Sequence, residues 1–323
     1  MKLRGKLLTV GLVTGGALGA LAVTNKIFEA RAGVLDTALP GEEGRFAWKY
    51  GDVFYKVKGN REARPLLFIH GFGPGTSSHE WRKNFETLTE QFRVYAIDLL
   101  GYGMSDRPVI DYTAETYIDL IGDFIREVID KPTLVVAHGL ACAYVIAGAY
   151  RRPQLFERLV LVTPPTTMLQ ETAPGPINAV RKFVLRSPII GRFIYNLLTK
   201  RSAIRAFYSR RGYYDAGLIT DQLVENAFAN AHQPHSRFPA ASLFSNYLNL
   251  DVHEDLAGLQ QRVVGVWGRE GMFIPPEAAE AFRRVKPGIE IRILDNCDQL
   301  PQDEQAGQFN NLVREFAGQP VMQ

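Results

Sequence analysis

Cysteine is nearly absent from this chain, and that absence narrows the chemistry early. Only Cys142 and Cys297 carry thiols, far apart and without a Cys-x-x-Cys spacing. This excludes a disulfide framework and a thiolate metal site, and each reads as a small buried hydrophobe. A strong charge of either sign is also missing, since the formal net charge is +3. That is too small by itself to imply nucleic acid. Internal repeats and low-complexity tracts are absent. The 46% apolar and 22% charged content of the 323 residues fits an ordinary globular chain and excludes a disordered one. A chain of this length has room for roughly two domains, or for one α/β core with an insertion.

Residues 1–32 stand apart. Lys2, Arg4 and Lys6 precede an uncharged, Gly- and Ala-rich run from Leu7 to Val23, with Lys26 and Arg31 after it. The run reads as a single membrane anchor or as a signal peptide cleaved after Ala20-Leu21-Ala22. The leading charges would keep the N-terminus cytoplasmic and place the body outside, secreted if the segment is cleaved.

The remainder alternates strand and helix signals. Phe46–Tyr50 and Val53–Val57 read as a hairpin turning at Gly51-Asp52. Pro65–Ile69 is a buried strand running into His70-Gly71-Phe72-Gly73-Pro74-Gly75, and a helix is expected near 81–91. Arg93–Asp98 is a further strand, and Thr113 can cap a helix reaching about Val128. At Thr133–His138 a β-branched strand breaks at Gly139 and continues as an apolar helix closed by Pro153. A buried strand turning directly into a buried helix presents one residue at the carboxyl edge of a parallel sheet. The alternation pauses at Thr163-Pro164-Pro165. Residues 166–250 are helical in pattern, and strands and helices resume at Val263–Gly268 and Ile289–Leu294. The expected organisation is a core of 33–165 and 251–323 with a helical cap of 166–250 over the sheet edge.

Six features in register carry a resemblance. They are His70-Gly71 after its strand, Asp98 to Asp106 with Gly101 and Gly103, the Ala137-His138-Gly139-Leu140-Ala141 turn, its strand and helix, Trp267-Gly268, and Leu300-Pro301 with Glu304. The chain resembles the α/β-hydrolase family across roughly 45–318. The resemblance implies an α/β-hydrolase fold: a mostly parallel central sheet flanked by helices, with a helical cap insertion.

The same resemblance implies positions for a Ser-His-Asp triad, whose chemistry needs a nucleophile, a base and an orienting acid. They fall on Gly139, Gln299 and Gly271, so all three are substituted. It also implies an oxyanion hole from the backbone N–H groups of Phe72 and Leu140, beside Gly71. Polar groups that could face that pocket are His138, Glu270, Asp298 and Gln299. Ser77, Ser78, Ser105, His70 and Cys142 read as structural. Gly71-x-Gly73-x-Gly75 imitates a dinucleotide loop, but Pro74 and Thr76 interrupt it. No cofactor and no metal are expected.

Two functions follow. In one, a membrane-associated protein without the triad binds a hydrophobic or ester- or carboxylate-containing ligand without hydrolysing it. In the other, a hydrolase- or lyase-type enzyme acts on a lipid-like small molecule through the oxyanion hole and non-standard acid and base groups. Between Arg181 and Arg211 lie nine Lys and Arg residues and no Asp or Glu, interleaved with aromatic and aliphatic side chains. That basic cap, with the N-terminal segment, points to a membrane surface or lipid as partner and not to nucleic acid.

Overall fold

The computed structural model describes residues 19–28, 30–33, 35, 39–170 and 173–318. Eight strands form one sheet: β1 Glu42–Trp48, β2 Gly51–Lys58, β3 Arg64–Ile69, β4 Phe92–Ile97, β5 Thr133–His138, β6 Phe156–Val162, β7 Arg262–Gly268 and β8 Glu290–Leu294. Their order is β1-β2-β4-β3-β5-β6-β7-β8. The β1–β2 and β2–β4 pairs are antiparallel and every other pair is parallel. The central strands are β-branched and apolar on both faces because helices cover both faces. Leu66 through Ile69, Leu134 through Ala137 and Leu159 through Val162 are all inaccessible to solvent.

The hairpin turns two residues earlier than its glycine suggests. Trp48 pairs with Gly51, so Lys49 and Tyr50 form the turn. Gly51 and Asp52 belong to β2, where the Asp52 amide donates to Asp106 Oδ2 at 2.8 Å. The helix expected near 81–91 is reduced to a tight turn at Ser78–Trp81 and four helical residues at Phe85–Leu88.

The longer helices of the core are α1 Ala114–Phe124 and α2 Ala141–Arg151, and the Thr113 hydroxyl caps the first by accepting from the Thr116 amide. The cap supplies α3 Pro176–Arg186, α4 Ile190–Leu198, α5 Arg201–Arg211, α6 Asp221–Ala231 and α7 Arg237–Phe244, all between β6 and β7. After β7 come α8 Ala278–Val285 and α9 Ala306–Gly318. Parallel strands deliver their loops to one edge, so the turns after β3, β5, β6 and β7 meet beneath the cap.

Residues 19–28 are helical. Among the described residues no helix is long and apolar enough to cross a membrane. Most of the Leu7–Val23 run, and with it the anchor or signal expected there, lies outside the described residues.

Candidate active site

The site is built where β5 ends. Gly139 has φ +59, and its amide donates to Val162 O at 2.8 Å, which locks the turn to the neighbouring strand. A side chain rarely adopts this left-handed conformation, and a sharp strand-to-helix turn demands it. No atom lies within 4 Å of where a Cβ on Gly139 would sit. The space beside the turn is therefore open, and it belongs to a cavity of about 600 Å³ lined by Gly71, Phe72, His138, Gly139, Leu140, Gln299 and residues of the cap. Among the described residues, neither the Phe72 nor the Leu140 amide donates to a protein acceptor. Both remain available to an oxygen in the cavity.

His138 faces the same space. Its Nδ1 lies 2.8 Å from Glu80 Oε1, and its Nε2 lies 3.2 Å from the Gln299 carbonyl oxygen. The Nδ1 contact is close, but it is misaligned for a hydrogen bond. It is a close polar contact and not a hydrogen bond. Glu80 is held on both oxygens, accepting from the Gly71 amide at 3.1 Å and from Gln302 Nε2 at 3.1 Å. Burial pushes its carboxyl up, but His138, then His70 and the Gly71 amide, outweigh this and hold it below the usual value. Gly71 makes the arrangement possible, since a Cβ there would stand 2.6 Å from His138 Nδ1.

His70 is structural. Its Nε2 accepts from the Leu99 amide at 3.0 Å while Nδ1 faces Gly71 O at 2.8 Å. That pairing needs the neutral ring, and burial lowers its pKa accordingly. Ser105 likewise braces a turn, accepting from the Phe54 amide at 2.8 Å.

The loop carboxylates sit elsewhere. Glu270 Oε2 accepts from the Cys297 amide at 3.0 Å, and Asp298 Oδ1 accepts from the Met272 amide at 2.9 Å and Gln299 Nε2 at 3.1 Å. Both fasten the loop after β7 to the loop after β8, and neither lines the cavity. Gln299 does line it, its carbonyl also accepting from Thr163 Oγ1 at 3.1 Å. Gly271 has no room for a side chain, because a Cβ would meet Ile274 O at 2.5 Å.

Sequence reasoning missed Glu80. It stands in a short loop beside Trp81, and nothing in its neighbourhood marks it; only the fold carries it to the elbow. It missed also the cluster in which Asp303, 2% exposed, takes Arg82, Lys83 and the Tyr213 hydroxyl, tying the end of α5 to the core. The basic cap is partly neutralised at home. Lys182 and Arg186 reach Asp111, Arg201 pairs with Glu225, and Arg205 pairs with Asp221.

A parallel-centred sheet in this order, a sharp left-handed turn after the fifth strand and a cap inserted after the sixth define a protein of α/β-hydrolase architecture. The chain belongs to the alpha/beta hydrolase family, whose model matches residues 66–312. An uncharacterised protein of Mycobacterium tuberculosis is 24% identical over 88% of this chain and 83% of its own length. A 2-hydroxy-6-oxononadienedioate/2-hydroxy-6-oxononatrienedioate hydrolase of Cupriavidus pinatubonensis is 26% identical over 84% of this chain and 93% of its own. The structure of a meta-cleavage product hydrolase from Pseudomonas fluorescens superposes with a TM-score of 0.70 at 23% identity, covering 85% of this chain and 97% of that one.

Proposed function

We propose that this protein is a hydrolase- or lyase-type enzyme acting on an apolar small molecule that carries a carbonyl group, without forming an acyl-enzyme. The observation that carries the reading is the open space over Gly139, bordered by two unpartnered amides and by His138 with its buried partner Glu80. The positions implied for a triad, Gly139, Gly271 and Gln299, provide no nucleophile, acid or imidazole base, so water takes the nucleophile's part. The carbonyl oxygen of the substrate accepts from the Phe72 and Leu140 amides, which stabilise the negative charge as water adds to the carbon. With the ring's own proton on Nδ1, facing Glu80, the Nε2 lone pair of His138 takes the water proton. The N–H so formed has the Gln299 carbonyl oxygen 3.2 Å away, and it gives the proton up to the departing atom as the bond to the carbonyl carbon breaks. Glu80 is a positioning residue here, because its lowered pKa keeps it charged. The names of the relatives, two of them hydrolases, support this reading over a carrier that binds and releases its ligand unchanged.

The test is a panel of aryl esters, lactones and vinylogous diketones. Turnover is expected on at least one class, falling about 10²-fold or more in His138→Ala. No burst and no labelling by a fluorophosphonate should accompany it. Labelling of the wild-type chain at an active serine would overturn the proposal. So would silence across the whole panel, which would return the protein to a ligand-binding role.

A further inference from the structure

We propose that the mouth of the cavity docks on an anionic lipid leaflet, so that the apolar substrate enters from the bilayer. Leu198, Phe207 and Phe273 line the cavity yet are 52%, 52% and 56% exposed, so they form its rim. Met272 beside them is 77% exposed. The rim continues into the cap through α4, whose neighbour α3 turns Ile177, Val180 and Phe183 outward at helical spacing, Phe183 being 76% exposed. Large exposed apolar side chains concentrated in this way mark an interaction surface.

Two observations select lipid as the occupant. The helix at residues 19–28 is fixed to α4: Asn25 Nδ2 donates to Ile189 O at 3.1 Å, and Asn196 Nδ2 donates to Asn25 Oδ1 at 2.9 Å. Val23, the last residue of the uncharged run that starts at Leu7, is 60% exposed on that helix. The described end of that run thus lies on a helix fastened to α4 and to the residue before it. Charge gives the second. Lys182, Arg186, Arg201 and Arg205 are paired, but Lys200, Arg210 and Arg211 make no ion pair among the described residues. Arg211 lies on the rim itself, 5.7 Å from the Phe273 ring. Apolar side chains rimmed by free cations are what an anionic interface takes up. The docking stands independently of the proposed chemistry; only the identity of what enters rests on it.

The full chain offers a clean probe. Cys142 and Cys297 are fully buried, so an environment-sensitive fluorophore can be directed to Met272→Cys, or to Gly288→Cys on an exposed turn before β8, at the opposite edge of the sheet. With phosphatidylcholine–phosphatidylglycerol vesicles, the label at 272 should gain emission severalfold and be quenched by doxyl lipids. The label at 288 should do neither. The gain should shrink severalfold in Arg210→Glu/Arg211→Glu or with pure phosphatidylcholine. If the chain floats with vesicles while position 272 still reports water, the N-terminal run alone holds the membrane and the proposal fails. It fails equally if the chain does not float, or if emission at 272 rises with protein concentration and no lipid, which would make the occupant a second copy.

Discussion

Gly139→Ser puts the water-based chemistry at most direct risk, because it fills the space that chemistry needs without wrecking the fold. At φ +59 an L residue costs about 1–2 kcal/mol. No packing penalty adds to this, since the new Cβ meets nothing within 4 Å. Against a stability of roughly 5–15 kcal/mol the variant stays folded. Its melting temperature should drop by about 1.5–3 °C for a chain of this size. Turnover, assayed on whichever panel substrate the wild type accepts, should fall at least tenfold, because the hydroxymethyl group occupies the place of the attacking water. Should the new hydroxyl intercept the carbonyl, intact-mass measurement will find an acyl adduct, and that adduct must vanish when His138→Ala is added. A folded Gly139→Ser variant with undiminished turnover would refute the placement of water. An adduct that survives His138→Ala would refute the assignment of the base.

Glu80→Gln removes the charge beside His138 but keeps the side chain's volume, and kcat should drop about 10²-fold with KM little changed; a shift confined to KM would make Glu80 a binding residue. Asp303→Ala strands Arg82 and Lys83 and frees Tyr213, so urea unfolding should show a loss of about 3 kcal/mol or more, and an unchanged midpoint would mean that the cluster does not hold the cap. Gly75→Ala, at φ +88 and with its Cβ 2.3 Å from Ala227 O, must displace α6 from the loop; it should cost roughly 3 kcal/mol, and stability equal to wild type would contradict the close approach. Acid should weaken the fold in stages. Burial lowers His79 to about 4 from an ordinary 6.5 and also lowers His70, so the unfolded chain binds their protons first. That stability is full above pH 6.5 and drains as pH falls toward 4, with Glu80 adding its own loss below its ordinary 4.5. Urea midpoints that stay level from pH 7 to 4.5 would disprove this.

The sheet was legible because its signals are local and redundant. A run such as Leu134 to Ala137 has no polar face, which suits only a strand covered on both sides, and Gly139 marks the sharp turn at its end. The hairpin register was not legible from Gly51, because pairing of Trp48 with Gly51 places the turn on two residues without turn chemistry of their own. The loop carboxylates show a different limit. Glu270 and Asp298 stand one residue before the implied acid and base positions, but each is spent on backbone amides, and a sequence does not say which partners a carboxylate will find.

Glu80 and Gly71 carry the argument furthest. If the elbow merely lacked its nucleophile and served no purpose, nothing would require a buried carboxylate to be held on both oxygens against His138. Nor would position 71 need to stay free of a Cβ that would stand 2.6 Å from the ring. A largely buried acid costs stability unless it is paired, and this one, about 10% exposed, sits against His138, an imidazole that lines the cavity beside two free amides. Gly271 points the same way from the opposite side. A Cβ at that implied acid position would stand 2.5 Å from Ile274 O, so a carboxylate there would require Ile274 to move. On the proposed reading, a site whose implied acid position is sealed, and which seats another acid beside another histidine, handles its protons through that second pair, and the chemistry should be sought there.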